Sequence, residues 1–91
     1  MDFDWDPEKS QNNLKKHGVS FQESTEIWQG PHLEVTEIAK TTKGEKRGAT
    51  IGLIKGKEYT AIWAARDDKT RLISVRRARD GEKEIFWKKI I

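Results

Sequence analysis

From Leu33 to Arg77 the sequence alternates apolar and polar residues in four runs, LEVTEIAKT, RGATIGLI, EYTAIWAAR and RLISVRR, separated by short polar turns. Parallel strands need long crossovers and these connections are too short for them, so the runs predict an antiparallel β-meander. The stretch TTKGEKRG reads as a mobile loop between the first two strands. A Gly56-Lys57 type II′ turn, with Lys55-Gly56 as its competitor, would set Ile51 opposite Ile62 and Leu53 opposite Thr60. A hairpin loop from Asp67 through Thr70 would set Arg66 opposite Arg71, Ala64 opposite Ile73 and Ile62 opposite Val75. Those apolar pairs define the expected core face. The other face then carries Tyr59, Ala61 and Trp63 beside Ser74 and Arg76, a surface able to stack a base and hold a phosphate. For Trp63, packing against a helix is the competing reading.

Helical signals flank the sheet. Asp6-Pro7 opens a first helix, Pro7–His17, in which the aspartate caps orphan N–H groups and the proline gives up no needed donor. Gly18 can take the left-handed conformation that stops it, and Ser20 through Glu23 form a capping box for a second helix carrying Phe21, Ser24, Ile27 and Trp28. Asp80 can cap a last helix, Gly81–Ile90. The fold class is therefore α+β, an antiparallel meander flanked by two N-terminal helices and one C-terminal helix. A chain of 91 residues suits one domain spanning 1–91.

The chain starts MDFDWDP, with Asp2, Asp4 and Asp6 on one side of an extended segment and Phe3 and Trp5 on the other. An EF-hand calcium loop would need glycine where Pro7 stands and a bidentate glutamate where Asn13 stands. The simpler reading is an amphipathic edge strand whose aromatics enter the core. No cysteine is present, so neither a disulfide framework nor a cysteine zinc site is expected, and no cofactor is implied. The acidic start lacks the apolar region of a secretory signal, and no apolar run approaches a membrane span, so cytoplasmic residence is the default.

Charge divides the chain. Residues 1–45 carry 5 Lys+Arg against 9 Asp+Glu, and residues 46–91 carry 13 against 6, giving net −4 and +7. Every arginine lies in the second half: Arg47, Arg66, Arg71, Arg76, Arg77 and Arg79. Guanidinium groups bind phosphate bidentately and stack on bases, so this half points to a polyanion, with a solvated, charge-mixed surface as the alternative. His17, in the last turn of its helix, is placed for a proton donor or a phosphate ligand, or simply for bonding the last carbonyls. No HExxH and no locally readable serine triad accompanies it, and His32 has no cue beyond its identity. Cleavage of RNA through its own 2′-hydroxyl remains open, since it needs only a proton acceptor, a proton donor and cations for the charged transition state.

The residues FDWDPEKSQNNLKKHGVSF, GEKRGATIG, and Arg66 followed by RLISVRRA stand in the order F-x-W-D-P-x-K…N-x-x-K-H-G-V-S-F, G-E-x-R…I-G, R…R-x-I-S-x-R-x-A. In this the chain resembles the BrnT family of type II toxin-antitoxin ribonucleases, from Phe3 to about Glu84. The resemblance implies a RelE-like fold, metal-independent cleavage of RNA, and neutralisation by a BrnA-like antitoxin whose ribbon-helix-helix domain supplies the contact with operator DNA. It carries catalytic candidacy to His17, Glu45, Arg47, Arg66 and Arg76, with Glu45 or His17 handling protons and the arginines holding the scissile phosphate. Trp63, Arg71, Arg77 and Arg79 are the expected RNA-binding residues. The chain departs from the family at Trp63-Ala64, where relatives often have tyrosine-threonine. A non-catalytic RNA-binding or protein-interaction module of the same fold is the alternative.

Overall fold

A computed structural model describes residues 2–40 and 46–90, with only the backbone described for residues 36–40. Five strands, β1 (Phe3–Asp4), β2 (His32–Lys40), β3 (Lys46–Ile54), β4 (Lys57–Arg66) and β5 (Lys69–Arg77), form one sheet in the order β1-β5-β4-β3-β2. The meander from β2 to β5 is antiparallel as its alternation requires, but β1 pairs in parallel with β5, so the sheet is mixed. Parallel pairing is possible because α1 (Pro7–His17), α2 (Phe21–Ser24) and the meander itself separate β1 from its partner in sequence. Residues 41–45 of the expected loop, Glu45 included, lie outside the described residues, while Lys46, Arg47 and Gly48 already belong to β3.

Both expected turns are corrected. Lys55-Gly56 makes the turn between β3 and β4, with φ of 51° and 80°. Two successive positive values match the twist of a hairpin, and glycine is then needed second rather than first. The pairing becomes Ile51 with Thr60, Ala49 with Ile62 and Leu53 with Glu58. The next turn is Asp67-Asp68, with φ of 49° and 64°, which pairs Arg66 with Lys69 and Ala64 with Arg71. A bulge then intervenes. Trp63 pairs with Leu72 but Ile62 with Ser74, leaving Ile73 as the extra residue of β5.

That bulge decides what each face carries. Ala61 and Trp63 now share a side with Leu72 and Val75, and Arg76 lies on the opposite side. The first side packs against the N-terminal helices: Val19, Phe21, Ile27, Ile54, Ala61, Trp63, Leu72 and Val75 form its core, with Phe3, Trp5, Trp28 and Tyr59 packed around them. The Ile62–Ala64 side is thus not the main core face, and the reading of Trp63 as packed against a helix holds. Two glycines permit the close layer: a Cβ at Gly48 would lie 2.6 Å from the Trp63 ring, and one at Gly52 would lie 2.6 Å from Ile27 Cγ2. On the second side α3 (Asp80–Ile90) places Phe86 against Ile51 and Ala78, with Leu33, Leu53 and Ile90 at the margin. The residue before α3 is Arg79 rather than Asp80, and its backbone N–H donates to Glu82 Oε1 at 2.8 Å.

Local signals at the first helices hold. Asp6 accepts from the Glu8 N–H at 2.9 Å, Gly18 closes α1 at φ 78°, and both halves of the Ser20–Glu23 capping box are formed. The second helix tightens into a 3₁₀ turn over Thr25–Gln29. Beyond Arg71, β5 no longer has β1 beside it, and a side chain of α1 takes the place of a strand. Asn13 Nδ2 donates to the Val75 carbonyl at 2.9 Å and Asn13 Oδ1 accepts from the Val75 N–H at 3.0 Å, while Nδ2 also donates to Val19 O at 2.9 Å. This ties α1 to the sheet edge at a fixed height.

Candidate nucleic-acid interface

The register collects three of the arginines. Arg47 on β3 pairs with Ala64 on β4, and Ala64 pairs with Arg71 on β5, so the two arginines flank a small buried residue in one row across three strands. Side chains at alternate positions share a face, which puts Arg66 one step further along β4 on the same side. Arg66 is exposed, and Arg47 and Arg71 are partly buried. Arg71 Nη1 donates to Asp4 Oδ2 at 2.7 Å, an ion pair that orients the guanidinium and ties β1 to the row. Asp4 and Asp6 thus both serve the scaffold, one as this partner and the other as a helix cap.

Arg76 is elsewhere. It pairs with Thr60, four residues back along β4 from Ala64, and lies beneath the start of α3. Its Nη1 and Nη2 donate to Glu82 Oε1 and Oε2 at 2.8 and 2.9 Å, a bidentate pair that Thr60 Oγ1 joins at 3.0 Å. These bonds, the Arg76 fork foremost and the Arg79 N–H and Thr60 after it, hold the Glu82 carboxyl at about 2, far below its usual range. The same fork raises the Arg76 guanidinium. Arg76 therefore fastens α3 to the sheet, and the register does not bring it together with Arg47 and Arg66.

The remaining candidates separate. Trp63 is buried in the core with its Nε1–H donating to Thr50 Oγ1 at 2.9 Å, so its ring has no face left for a base. Arg77 lies on the side of the N-terminal helices, over the Tyr59 ring at 5.4 Å, with Nε donating to Glu58 O at 3.2 Å. Arg79 is exposed at the entry to α3. His17, at the exposed end of α1, lines a groove with Lys9, Asn12, Lys16, Ile73 and Ser74. A separate cavity of about 430 Å³ beside β1 is lined by Phe3, Trp5 and Trp28, with Thr25 and Gln29 at its rim.

Sequence reasoning missed Lys9 and Lys16, and it placed Ser74 beside Trp63 and Arg76 rather than beside these lysines, which reach it only because α1 is pinned along the β5 edge. The spacing of Asn13 and His17 on one helical face also predicts a scaffold that ties the helix to the sheet, and Asn13 is that tie. With this geometry in hand, the family described as the ribonuclease toxin BrnT of type II toxin-antitoxin systems matches residues 5–82. The chain belongs to that family. A BrnT member is a ribonuclease toxin, so RNA and an antitoxin are the partners that membership implies. The match takes in β3, β4 and β5, and hence the whole Arg47–Ala64–Arg71 row. No individually curated protein matches the chain. No described helix is long and apolar enough to cross a membrane.

Proposed function

We propose that the protein is a metal-independent endoribonuclease toxin that cleaves cytoplasmic RNA and is neutralised by a BrnA-like antitoxin with a ribbon-helix-helix domain, on a RelE-like fold. The observation that carries this reading is the arginine row across β3, β4 and β5 in a chain of this family. Arg47 and Arg71 flank Ala64, whose methyl group leaves room between them, and Arg66 approaches from the hairpin end. Cations fixed in this way stabilise the extra negative charge of a phosphorane-like transition state without reorganising. The 2′-oxygen of the substrate attacks the neighbouring phosphorus, the bond to the 5′-oxygen breaks, and a 2′,3′-cyclic phosphate forms. A base takes the 2′-hydroxyl proton and an acid returns one to the leaving 5′-oxygen, roles we assign to Glu45, next to the row in sequence, and to His17.

Purified protein freed of antitoxin should cut RNA in excess EDTA and leave cyclic-phosphate ends. Arg47→Ala and Arg66→Ala should each slow the reaction by about 100-fold, the effect of removing one transition-state donor. Strict metal dependence, or intact RNA after incubation with well-folded protein, would reject the mechanism. RNA retained without product would transfer the site to a binding role.

A further inference from the structure

The groove between α1 and β5 encloses about 180 Å³, against ~30 Å³ for a water molecule in the liquid, so it accommodates a phosphodiester group. Lys9, Asn12 and Lys16 form one stripe along α1, and Ser74 closes the groove from the sheet. No carboxylate among the described residues lines it. Among the described residues, Lys9, Lys16 and His17 have no ion-pair partner, whereas Arg71, Arg76 and Arg77 each have one. We infer that this groove is a second phosphate-binding subsite, which grips the RNA backbone beside the arginine row; the inference rests on the ribonuclease reading above.

Helix stability accounts for only part of the pattern. Lys15, Lys16 and His17 occupy the last turn of α1, where positive charge complements the helix dipole. Lys9 does not: it stands in the first turn, near the positive end, where a cation is disfavoured. A phosphate held in the groove would account for its position. Lys9 and Lys16 are seven residues apart, so their backbones are separated by ~10 Å along the helix. That spacing suits an extended polyanion better than one small anion.

The register sets the sheet wall of the groove near the arginine row. Ser74 pairs with Ile62, and Arg71 pairs with Ala64, two residues further along β4 on the same face, ~7 Å away. The bulge at Ile73 turns the strand here and brings both Ile73 and Ser74 to the groove wall. A single strand lying across the row can therefore pass over Ser74 and down onto α1 without leaving the surface. The Asn13 amide is spent on Val75 and Val19, so it forms the floor and leaves the ligand contacts to Asn12, the lysines and the hydroxyl.

The test measures binding of a fluorescent 2′-O-methyl RNA of about 20 nucleotides, which lacks the attacking hydroxyl, at several salt concentrations by anisotropy. Each phosphate contact on a single strand contributes ~0.7 to the slope of log K against log salt, so Lys9→Ala/Lys16→Ala should lower the slope by about 1.4. Affinity at low salt should fall at least about tenfold, since both lost contacts are electrostatic. Lys15→Ala/Lys88→Ala removes the same charge away from the groove and should shift the slope far less. Equal slopes for wild type and the groove variant, or equal losses in both double variants, would overturn the subsite while the nuclease reading stands. A well-folded wild type that neither binds nor cleaves RNA would instead overturn the nuclease reading and the subsite together.

Discussion

The arginines of β5 and the lysines of α1 lie within a few residues of the same strand edge, yet the fold treats them in opposite ways. Arg71, Arg76 and Arg77 are matched to Asp4, Glu82 and Glu58. Lys9 and Lys16 have no such partner among the described residues. A guanidinium offers a rigid fork that meets a carboxylate bidentately, so the chain uses it where its own elements must be joined. An ammonium on a flexible stem keeps its water until a ligand displaces it. The contrast teaches that the arginine count of a basic half is not a count of contacts available to RNA. Arg76 and Arg77 build the surface, while two lysines of the otherwise acidic half are left to act on it beside the arginine row.

The seam between the two regions depends on Asn13, and breaking it should have the largest effect. Asn13→Leu removes its three hydrogen bonds and leaves the Val75 N–H, the Val75 carbonyl and the Val19 carbonyl without their partner. At ~1–3 kcal/mol for each group left unsatisfied, offset by the gain of an apolar side chain, a loss of about 3–5 kcal/mol is expected in urea unfolding. That is a large share of the stability of a small domain. A loss below about 1 kcal/mol would mean that water replaces the amide and that the edge is not sealed by α1.

Next comes Arg76, where pairing predicts a structural cost. Arg76→Ala leaves Glu82 half-buried beneath α3 without its fork, and about 2–3 kcal/mol should be lost. In a Glu82→Gln background the same substitution should cost much less, and a double-mutant cycle reads the coupling. The pair also titrates. The Glu82 carboxyl is held at about 2 in the folded chain, below its ordinary 4.5, so the folded state binds its proton less readily than the unfolded state. The contribution is complete above about pH 4.5 and fades as pH falls toward 2. Solvent screening at this partly open site limits it to about 1–2 kcal/mol, measurable as a wild-type stability loss between those values that Glu82→Gln lacks.

These effects show why the sequence could be read so far and no further. Strand ranges and the start of α1 were legible because alternation, Asp6-Pro7 and Gly18 act within a few residues. The pairings were not. Choosing between Lys55-Gly56 and Gly56-Lys57 shifts every partner of β4, and nothing local favours one over the other. The Ile73 bulge has no sequence cue either, since it answers to Trp63 filling the space above Gly48 and to Asn13 holding Val75. The arginines could be recognised as a phosphate-seeking set, but Arg71 meets an aspartate 67 residues away. Only the parallel addition of β1 makes that contact. Lys9 and Lys16 were invisible as a site for the converse reason: their other wall, Ile73 and Ser74, comes from the far end of the meander.

The smallest expected effect sharpens the comparison most. If the α1 lysines are kept for a ligand, removing them should leave the fold almost as stable as before. Lys9→Ala relieves a cation at the positive end of the helix, and Lys16→Ala removes one that complements the negative end, each worth ~0.3–1 kcal/mol with opposite sign. Their sum in Lys9→Ala/Lys16→Ala should lie within about 0.5 kcal/mol of zero, as for most surface substitutions. A melting temperature within a few degrees of wild type would express that result. A loss above about 1 kcal/mol would show that the ammonium groups hold α1 to the sheet, as Arg76 holds α3, and the distinction between the two sets of cations would disappear.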